Sequence, residues 1–191
     1  ATSSQGLSYL SNAGLLNKCS ETSTACQAKI LTREEAASIV AIVGGIPLDS
    51  PNAYSDDDTS LYQSAINGMP YFGMDVCLGT GLQYLPKEAV LRDQFACMIV
   101  RAIKAGTTKD LEGNSEKYSD IGASNFQSNI NTLASNNVVP ECSSLTDKYC
   151  PSRKISIGEV SYIVDKLVSS SLISSDLFNI TPFQQGWKAS G

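Results

Sequence analysis

The sequence predicts an all-α protein built from three copies of one helix–loop–helix unit. Two observations carry this expectation. Apolar residues recur at helical spacing in three separate segments, and the segments align with one another residue for residue. They begin Leu31-Thr32-Arg33-Glu34-Glu35, Val90-Leu91-Arg92-Asp93-Gln94 and Ile155-Ser156-Ile157-Gly158-Glu159. From that register, Ala36, Ile39, Val40 and Val43 match Phe95, Met98, Ile99 and Ala102, and then Val160, Ile163, Val164 and Leu167. Each set has the i, i+3, i+4, i+7 pattern of a single buried helical face. Two of the starts carry a capping box, Thr32 with Glu35 and Ser156 with Glu159, in which the hydroxyl and the carboxylate satisfy each other's backbone amides. The second start has Leu91 in the hydroxyl's place, so its helix must be held otherwise.

The likeness extends upstream. Tyr84-Leu85-Pro86 and Tyr149-Cys150-Pro151 precede their helices at equal distance, with Ala25-Cys26-Gln27 in the same place in the first copy. Further back, Tyr54-Ser55-Asp56 and Tyr118-Ser119-Asp120 each introduce a shorter helical pattern, Tyr62/Ile66/Met69 and Phe126/Ile130/Leu133. The first copy keeps only Leu7 and Leu10 of this part, followed by Gly14-Leu15-Leu16. Its Tyr-x-Asp element would fall before Ala1. Connectors 44–58 and 106–119 are rich in Gly, Ser, Asp and Pro, as turns require. The expected units are 1–48, 49–109 and 110–170, with a tail at 171–191 that leaves the pattern. One unit is too small to bury its own apolar face, and three packed together can share a core.

Composition narrows the function. The chain has 191 residues, 14 Lys+Arg against 19 Asp+Glu, a net charge of −5 and no histidine. An acidic chain offers phosphates no concentrated basic face, which argues against nucleic acid. No run of about 18 apolar residues is present to span a bilayer. Residues 1–6 lack the charged-then-apolar order of a signal peptide. Six cysteines in an even count point to disulfides and an oxidising, extracellular compartment. Zinc is disfavoured because there is no histidine and no C-x-x-C pair, and no cofactor is expected. Catalysis is disfavoured as well. A nucleophile lacks its histidine base, and nothing places two carboxylates face to face for glycoside chemistry.

The three segments resemble the S-layer homology family. Its repeat runs as an aromatic-x-Asp element, a helix, an aromatic-x-Pro element and a Thr-Arg-Ala-Glu-Phe-Ala-type helix. Leu91-Arg92-Asp93-Gln94-Phe95-Ala96 is the nearest match, the first copy keeps Thr32-Arg33-Glu34-Glu35, and the third has Ile157 in the arginine's place. The resemblance spans roughly residues 7–168. It implies a three-pronged spindle with pseudo-threefold symmetry around a central helical bundle. It also implies a role in holding a surface protein to cell-wall polysaccharide, often an acidic one, in grooves between repeats. By the same resemblance Arg33 and Arg92 would contact the glycan, joined by Asp56 and Asp120.

Each of these residues also has a plainer reading. An arginine beside a helix start suits a carboxylate or sugar hydroxyls bidentately, or a surface ion pair. Ile157 cannot donate, so the third groove is expected to be weak. Arg153 and Lys154 precede the cap and are expected to face away. Asp56 and Asp120 could instead cap helix amides. The run Asp56-Asp57-Asp58 raises calcium, but it lacks the spacing and distal glutamate of a calcium loop.

The cysteine pairing is taken from the repeat register. Cys19 and Cys26 occupy the places of Cys142 and Cys150, and Cys77 matches the first of each pair with Leu85 replacing the second. The expected bridges are therefore Cys19–Cys26, Cys142–Cys150 and Cys77–Cys97. Members of the family mostly lack cysteine. Asn179-Ile180-Thr181 forms an N-glycosylation sequon. Phe178, Phe183 and Trp187 are expected to pack the tail back onto the repeats. The leading expectation is a secreted, non-catalytic module that binds cell-wall or extracellular polysaccharide. The alternative is a structural subunit of an extracellular assembly, with degenerate grooves and partners that include further copies of itself.

Overall fold

The computed structural model describes residues 2–15, 24–47, 49–107 and 111–179. The described residues are helical with no strand: α1 Ser4–Asn12, α2 Thr24–Gln27, α3 Arg33–Gly44, α4 Gln63–Gly68, α5 Asp75–Leu78, α6 Arg92–Thr107, α7 Gln127–Ser135 and α8 Ile157–Ser169. Two 3₁₀ turns, Met69–Phe72 and Ser175–Asn179, complete the elements. The long helices α3, α6 and α8 are those whose apolar periodicity aligns. All twelve aligned apolar residues are buried, none more than 2% exposed.

Their starts are held as the sequence chemistry requires. Ser156 accepts from the Glu159 amide at 3.1 Å while Glu159 Oε1 accepts from the Ser156 amide at 2.9 Å. At α3 the Thr32 amide and hydroxyl both donate to Glu35 Oε1, at 2.9 and 2.7 Å. Leu91 has no hydroxyl, yet its amide still donates to Gln94 Oε1 at 2.9 Å, so α6 keeps half of the box.

The residues just before these starts meet in the core. Leu31 donates its amide to the Ile155 carbonyl (3.0 Å), Ile155 donates to Val90 (2.9 Å), and Val90 donates to Leu31 (3.1 Å), which closes a ring of three backbone hydrogen bonds. A second set runs in the opposite cyclic order. Arg33 donates to the Glu88 carbonyl (2.8 Å), Arg92 to Arg153 (2.9 Å) and Ile157 to Lys29 (2.8 Å). Isolated antiparallel bridges Thr32–Ala89, Leu91–Lys154 and Ile30–Ser156 mark the same three junctions.

The shorter helices follow this rotation. α4 packs on α3, α7 on α6 and α1 on α8, so each short helix lies on the long helix of the preceding repeat, and the first repeat's lies on the third's. The N-terminal and C-terminal parts of the described chain are therefore packed together. The contact is close. A Cβ added at Gly6 would lie 1.8 Å from the Ser161 carbonyl oxygen, and the Ser3 amide donates to Ser161 Oγ at 3.1 Å while Ser3 Oγ donates to Asp165 at 2.9 Å. In the tail, Phe178 is buried and its ring stacks on Tyr9 at 5.7 Å, whereas Phe183 and Trp187 lie outside the described residues.

Two described disulfides add covalent ties. Cys77 is bonded to Cys97 and Cys142 to Cys150. Cys26 is disulfide-bonded, and its expected partner Cys19 lies outside the described residues. No described helix is long and apolar enough to cross a membrane.

Backbone cannot yield easily at Gly6, so Gly6→Ala is expected to lower stability by about 1–3 kcal/mol through overpacking. A urea melt of this variant, compared with Gly122→Ala as a control in a turn where an added Cβ meets open space, checks it.

Candidate functional site

The residue after each helix start sits at the junction with the next repeat, and the three junctions differ. At the first, the Arg33 side chain is 8% exposed and Nη1 donates to the Tyr84 carbonyl at 3.0 Å. Tyr84 returns the contact, its hydroxyl donating to the Arg33 carbonyl at 2.8 Å. The pair forms a clasp between the loop of the second repeat and the helix of the first. Burial holds the Tyr84 phenol well above its ordinary value, so the hydroxyl stays a donor. Arg33 Nε is buried and has no hydrogen-bond partner. The side chain lines an open groove of about 590 Å³ together with Ser55, Leu78, the turn Gly79-Thr80-Gly81, Leu82 and Leu85.

The second junction has the same clasp and a different filling. Arg92 is 1% exposed. Its Nε donates to the Tyr149 carbonyl at 2.8 Å, Nη2 donates to the Pro140 carbonyl at 2.7 Å, and Nη1 is paired with the Glu159 carboxylate. The guanidinium carbon lies 4.8 Å from the Tyr149 ring centroid, and the Tyr149 hydroxyl donates to the Arg92 carbonyl at 3.1 Å. Every nitrogen of Arg92 has a protein partner, so this arginine cannot meet a ligand in the described conformation. Glu159 completes the closure, since its Oε2 also accepts from Arg153 Nη2 at 2.8 Å. Arg153 therefore does not face away. It turns back onto the carboxylate that neutralises Arg92, and Nη1 donates to the Cys142 carbonyl.

At the third junction Ile157 replaces the arginine and Ala25 replaces the tyrosine. The first turn of α8 is closed over by the chain's own N-terminal segment: Thr2 lies beside Gly158, where an added Cβ would sit 3.2 Å from its hydroxyl oxygen.

Asp56 and Asp120 serve the loops. The two Asp56 oxygens accept from the Tyr84 and Leu85 amides at 2.8 and 2.9 Å. Those of Asp120 accept from Tyr149 and Cys150, both at 2.9 Å. Leu85 and Cys150 have φ of 58° and 59°, a left-handed conformation that non-glycine residues adopt at a cost. Each carboxylate thus clamps a strained turn, and neither caps a helix. The aromatic-x-Asp tyrosines pack edge-on against the clasp tyrosines, Tyr54 on Tyr84 at 5.1 Å and Tyr118 on Tyr149 at 5.4 Å. No cation cage forms at 56–58, and among the described residues no group of three acids, cysteines or histidines is placed to hold a metal ion.

One buried residue is marked in the sequence only by its mismatch with the apolar residue at the same place in the third repeat. Asp57 is fully buried and neither carboxylate oxygen has a partner among the described residues. The third repeat has the buried Ile121 in that place. Burial raises the Asp57 carboxyl above the usual aspartate range, and the neighbouring Asp58 and Asp56 charges add to it. At the sequon, Asn179 is exposed and donates to Asp176 at 3.3 Å.

No protein-family model matches the chain, and no curated protein matches it.

Two stability tests follow from this geometry. Removing one member of the buried Arg92–Glu159 pair strands the other charge, so Arg92→Ala and Glu159→Ala are each expected to cost about 3–5 kcal/mol, and the double exchange Arg92→Met/Glu159→Leu to recover most of the loss. Urea midpoints decide. Acid separates the two aspartates. Asp57 has a raised folded pKa, so its penalty on the fold appears as pH rises through the unfolded value of about 3.9 and is complete above the folded one. Asp57→Leu is therefore expected to stabilise by about 1–3 kcal/mol at neutral pH and by less near pH 3. For Asp120, burial acts upward but the amides of Tyr149 and Cys150, its own amide and Lys148 outweigh it, and the net shift is downward. Its contribution is present above the unfolded pKa and lost as pH falls through the folded one, so Asp120→Asn is expected to lower the neutral-pH midpoint and flatten the acid limb.

Proposed function

We propose that the chain is a secreted, non-catalytic cell-surface module of three S-layer-homology-like repeats in a pseudo-threefold spindle, and that it binds cell-wall or extracellular polysaccharide in the groove at Arg33. The cyclic hydrogen bonds among Leu31, Val90 and Ile155 and the rotation of short helices onto preceding long ones support the spindle. The observation that carries the binding site is the contrast between the arginines. Arg92 has a protein partner at every nitrogen, whereas among the described residues the Arg33 side chain makes a single hydrogen bond, from Nη1 to Tyr84, and lines about 590 Å³ of open groove. A guanidinium with unused donors suits the hydroxyls or acidic substituents of a glycan. Leu82 and Leu85, 83% and 40% exposed, offer apolar surface at the groove to the C–H faces of a sugar ring. The extracellular setting rests on the two described disulfides.

Arg33→Ala is expected to abolish retention on purified cell-wall polysaccharide with the fold intact by circular dichroism. Unchanged retention would reject the site. Arg92→Ala is the counter-control, expected to move the melting curve more than the binding of the molecules that remain folded.

A second reading has its own support. The Arg92 and Ile157 junctions are closed from within, and Tyr71 and Val76 stand exposed at 61% and 59%. A subunit of an extracellular assembly would need such apolar surface and no more than vestigial grooves. Sedimentation across a range of concentrations decides, since a monomer throughout would remove this reading.

A further inference from the structure

Asp57 has no part in the clasp or the clamp of the first junction. It is fully buried, and neither carboxylate oxygen has a partner among the described residues. The fold does not need an acid there, because the buried Ile121 fills the same place in the third repeat. The groups beside it are all engaged. Both oxygens of Asp56 hold the Tyr84 and Leu85 amides, and Asp58 accepts from Gln63 Nε2 at 3.2 Å. The Asp57 carbonyl accepts from the Ser60 amide at 3.0 Å, and the Ser60 hydroxyl donates to Glu34 on α3 at 2.8 Å.

The surroundings give an ionised Asp57 no counter-ion. On its own segment it stands between Asp56 and Asp58, whose charges oppose its own. The Tyr54 phenol feels Asp75, Asp57 and Arg33 together, which brings α5 and α3 into the same neighbourhood. Glu34 joins them through Ser60. Of the cations there, Arg33 donates Nη1 to the Tyr84 carbonyl and Lys87 is paired with Glu34. α4 carries no charged residue, and its Gln63 is turned to Asp58. The phenols of Tyr54, Tyr62 and Tyr84 are all held above their ordinary value by burial and stay neutral. A carboxyl so placed is at rest only while it carries its proton, and once ionised it gains by reaching water.

We infer that Asp57 is a proton-operated latch on the wall of the Arg33 groove: with its proton it keeps segment 56–58 seated, and without it the side chain leaves for water and withdraws the Asp56 clamp from the Tyr84–Leu85 turn. The coupling is mechanical. The Ser60 amide pins the Asp57 carbonyl, so the displacement passes back to Asp56. Leu85 has φ of 58°, so the turn relaxes from its described shape once the two amide bonds that hold it are gone. Ser55 and Leu85 line the groove, and the Ser55 amide donates to the Leu82 carbonyl at 2.9 Å, so the groove wall loosens with the segment. An acid that is harder to ionise when seated than when released favours the seated state in acid. Release therefore rises by about tenfold per pH unit from the solvated value of about 3.9 up to the seated one. The Asp120 clamp has Ile121 beside it and no such group to titrate.

The test uses the intact chain without any ligand, so its outcome is independent of the glycan reading. Amide hydrogen exchange is followed by NMR from about pH 4 to 7.5 and expressed as protection relative to the unstructured chain, beside the titration of the Asp57 carboxyl resonance. Tyr84 and Leu85 are expected to lose protection as pH rises, by about tenfold per unit over the range in which Asp57 titrates, while Tyr149 and Cys150 on the Asp120 clamp stay level. Asp57→Leu, which copies the apolar residue of the third repeat, and Asp57→Asn, which keeps the shape and cannot ionise, are each expected to hold both turns level. The inference is overturned if Tyr84 and Leu85 follow Tyr149 and Cys150 in the native chain, if either variant keeps the native slope, or if the Asp57 carboxyl titrates while the protection of the two amides is unchanged.

Discussion

Leu31, Val90 and Ile155 each give one amide hydrogen bond to the next and accept one from the last, and all three side chains are in the core. A buried amide left without its partner costs about 1–3 kcal/mol, so loss of any one segment would expose the other two to that penalty. The ring needs all three to close. Each member also lies directly ahead of a helix start, so fixing the ring fixes where α3, α6 and α8 begin. The residue after each start is thereby delivered to the border with the neighbouring repeat. Arg33, Arg92 and Ile157 stand where they do because the backbone of three distant segments meets at one point.

Equivalent placement has three chemical outcomes. What decides between them is the neighbouring repeat. Arg92 meets Tyr149 and the carboxylate of Glu159, a residue already engaged in capping α8. The residue in Glu159's place in the second repeat is Gln94, which keeps the capping contact but carries no charge. Arg33 therefore faces a neighbour without a competing carboxylate. At the third junction arginine and tyrosine are lost together, Ile157 beside the repeat that has Ala25. The joint loss makes physical sense, because the clasp uses each residue's carbonyl and the other's side chain, and either alone would leave a buried polar group unpaired.

Helices and core were legible in the sequence because they follow from local periodicity. The apolar positions aligned at Ala36, Phe95 and Val160 and their successors are buried, and the capping residues at Thr32 and Ser156 do the work their spacing suggests. Partner choice was not legible. Arg92 and Glu159 are 67 residues apart, and Asp120 clamps amides 29 and 30 residues away. No spacing rule encodes such contacts, and they exist only once the ring has set the relative rotation of the repeats. Asp120 and Asp56 read as helix caps because an aspartate ahead of a helix usually is one, whereas here the left-handed turns at Leu85 and Cys150 take both oxygens. Asp57 carried a trace of its nature. Alignment with Ile121 places a carboxylate at an apolar position, a mismatch visible once the two repeats are written one above the other.

The groove at Arg33 follows from the same accounting of donors. A guanidinium this deeply buried normally has its nitrogens occupied, as Arg92 does. Arg33 has Nε buried without a partner while its neighbouring cavity stays open. A glutamate in place of Gln94 would supply the charge that closes the Arg92 junction, with the helix-start contact to the Leu91 amide retained. The uncharged residue leaves the arginine's positive charge uncompensated beside a groove. That arrangement is costly to the fold unless an oxygen meets the guanidinium there. The second junction reaches its stability by supplying that oxygen from within.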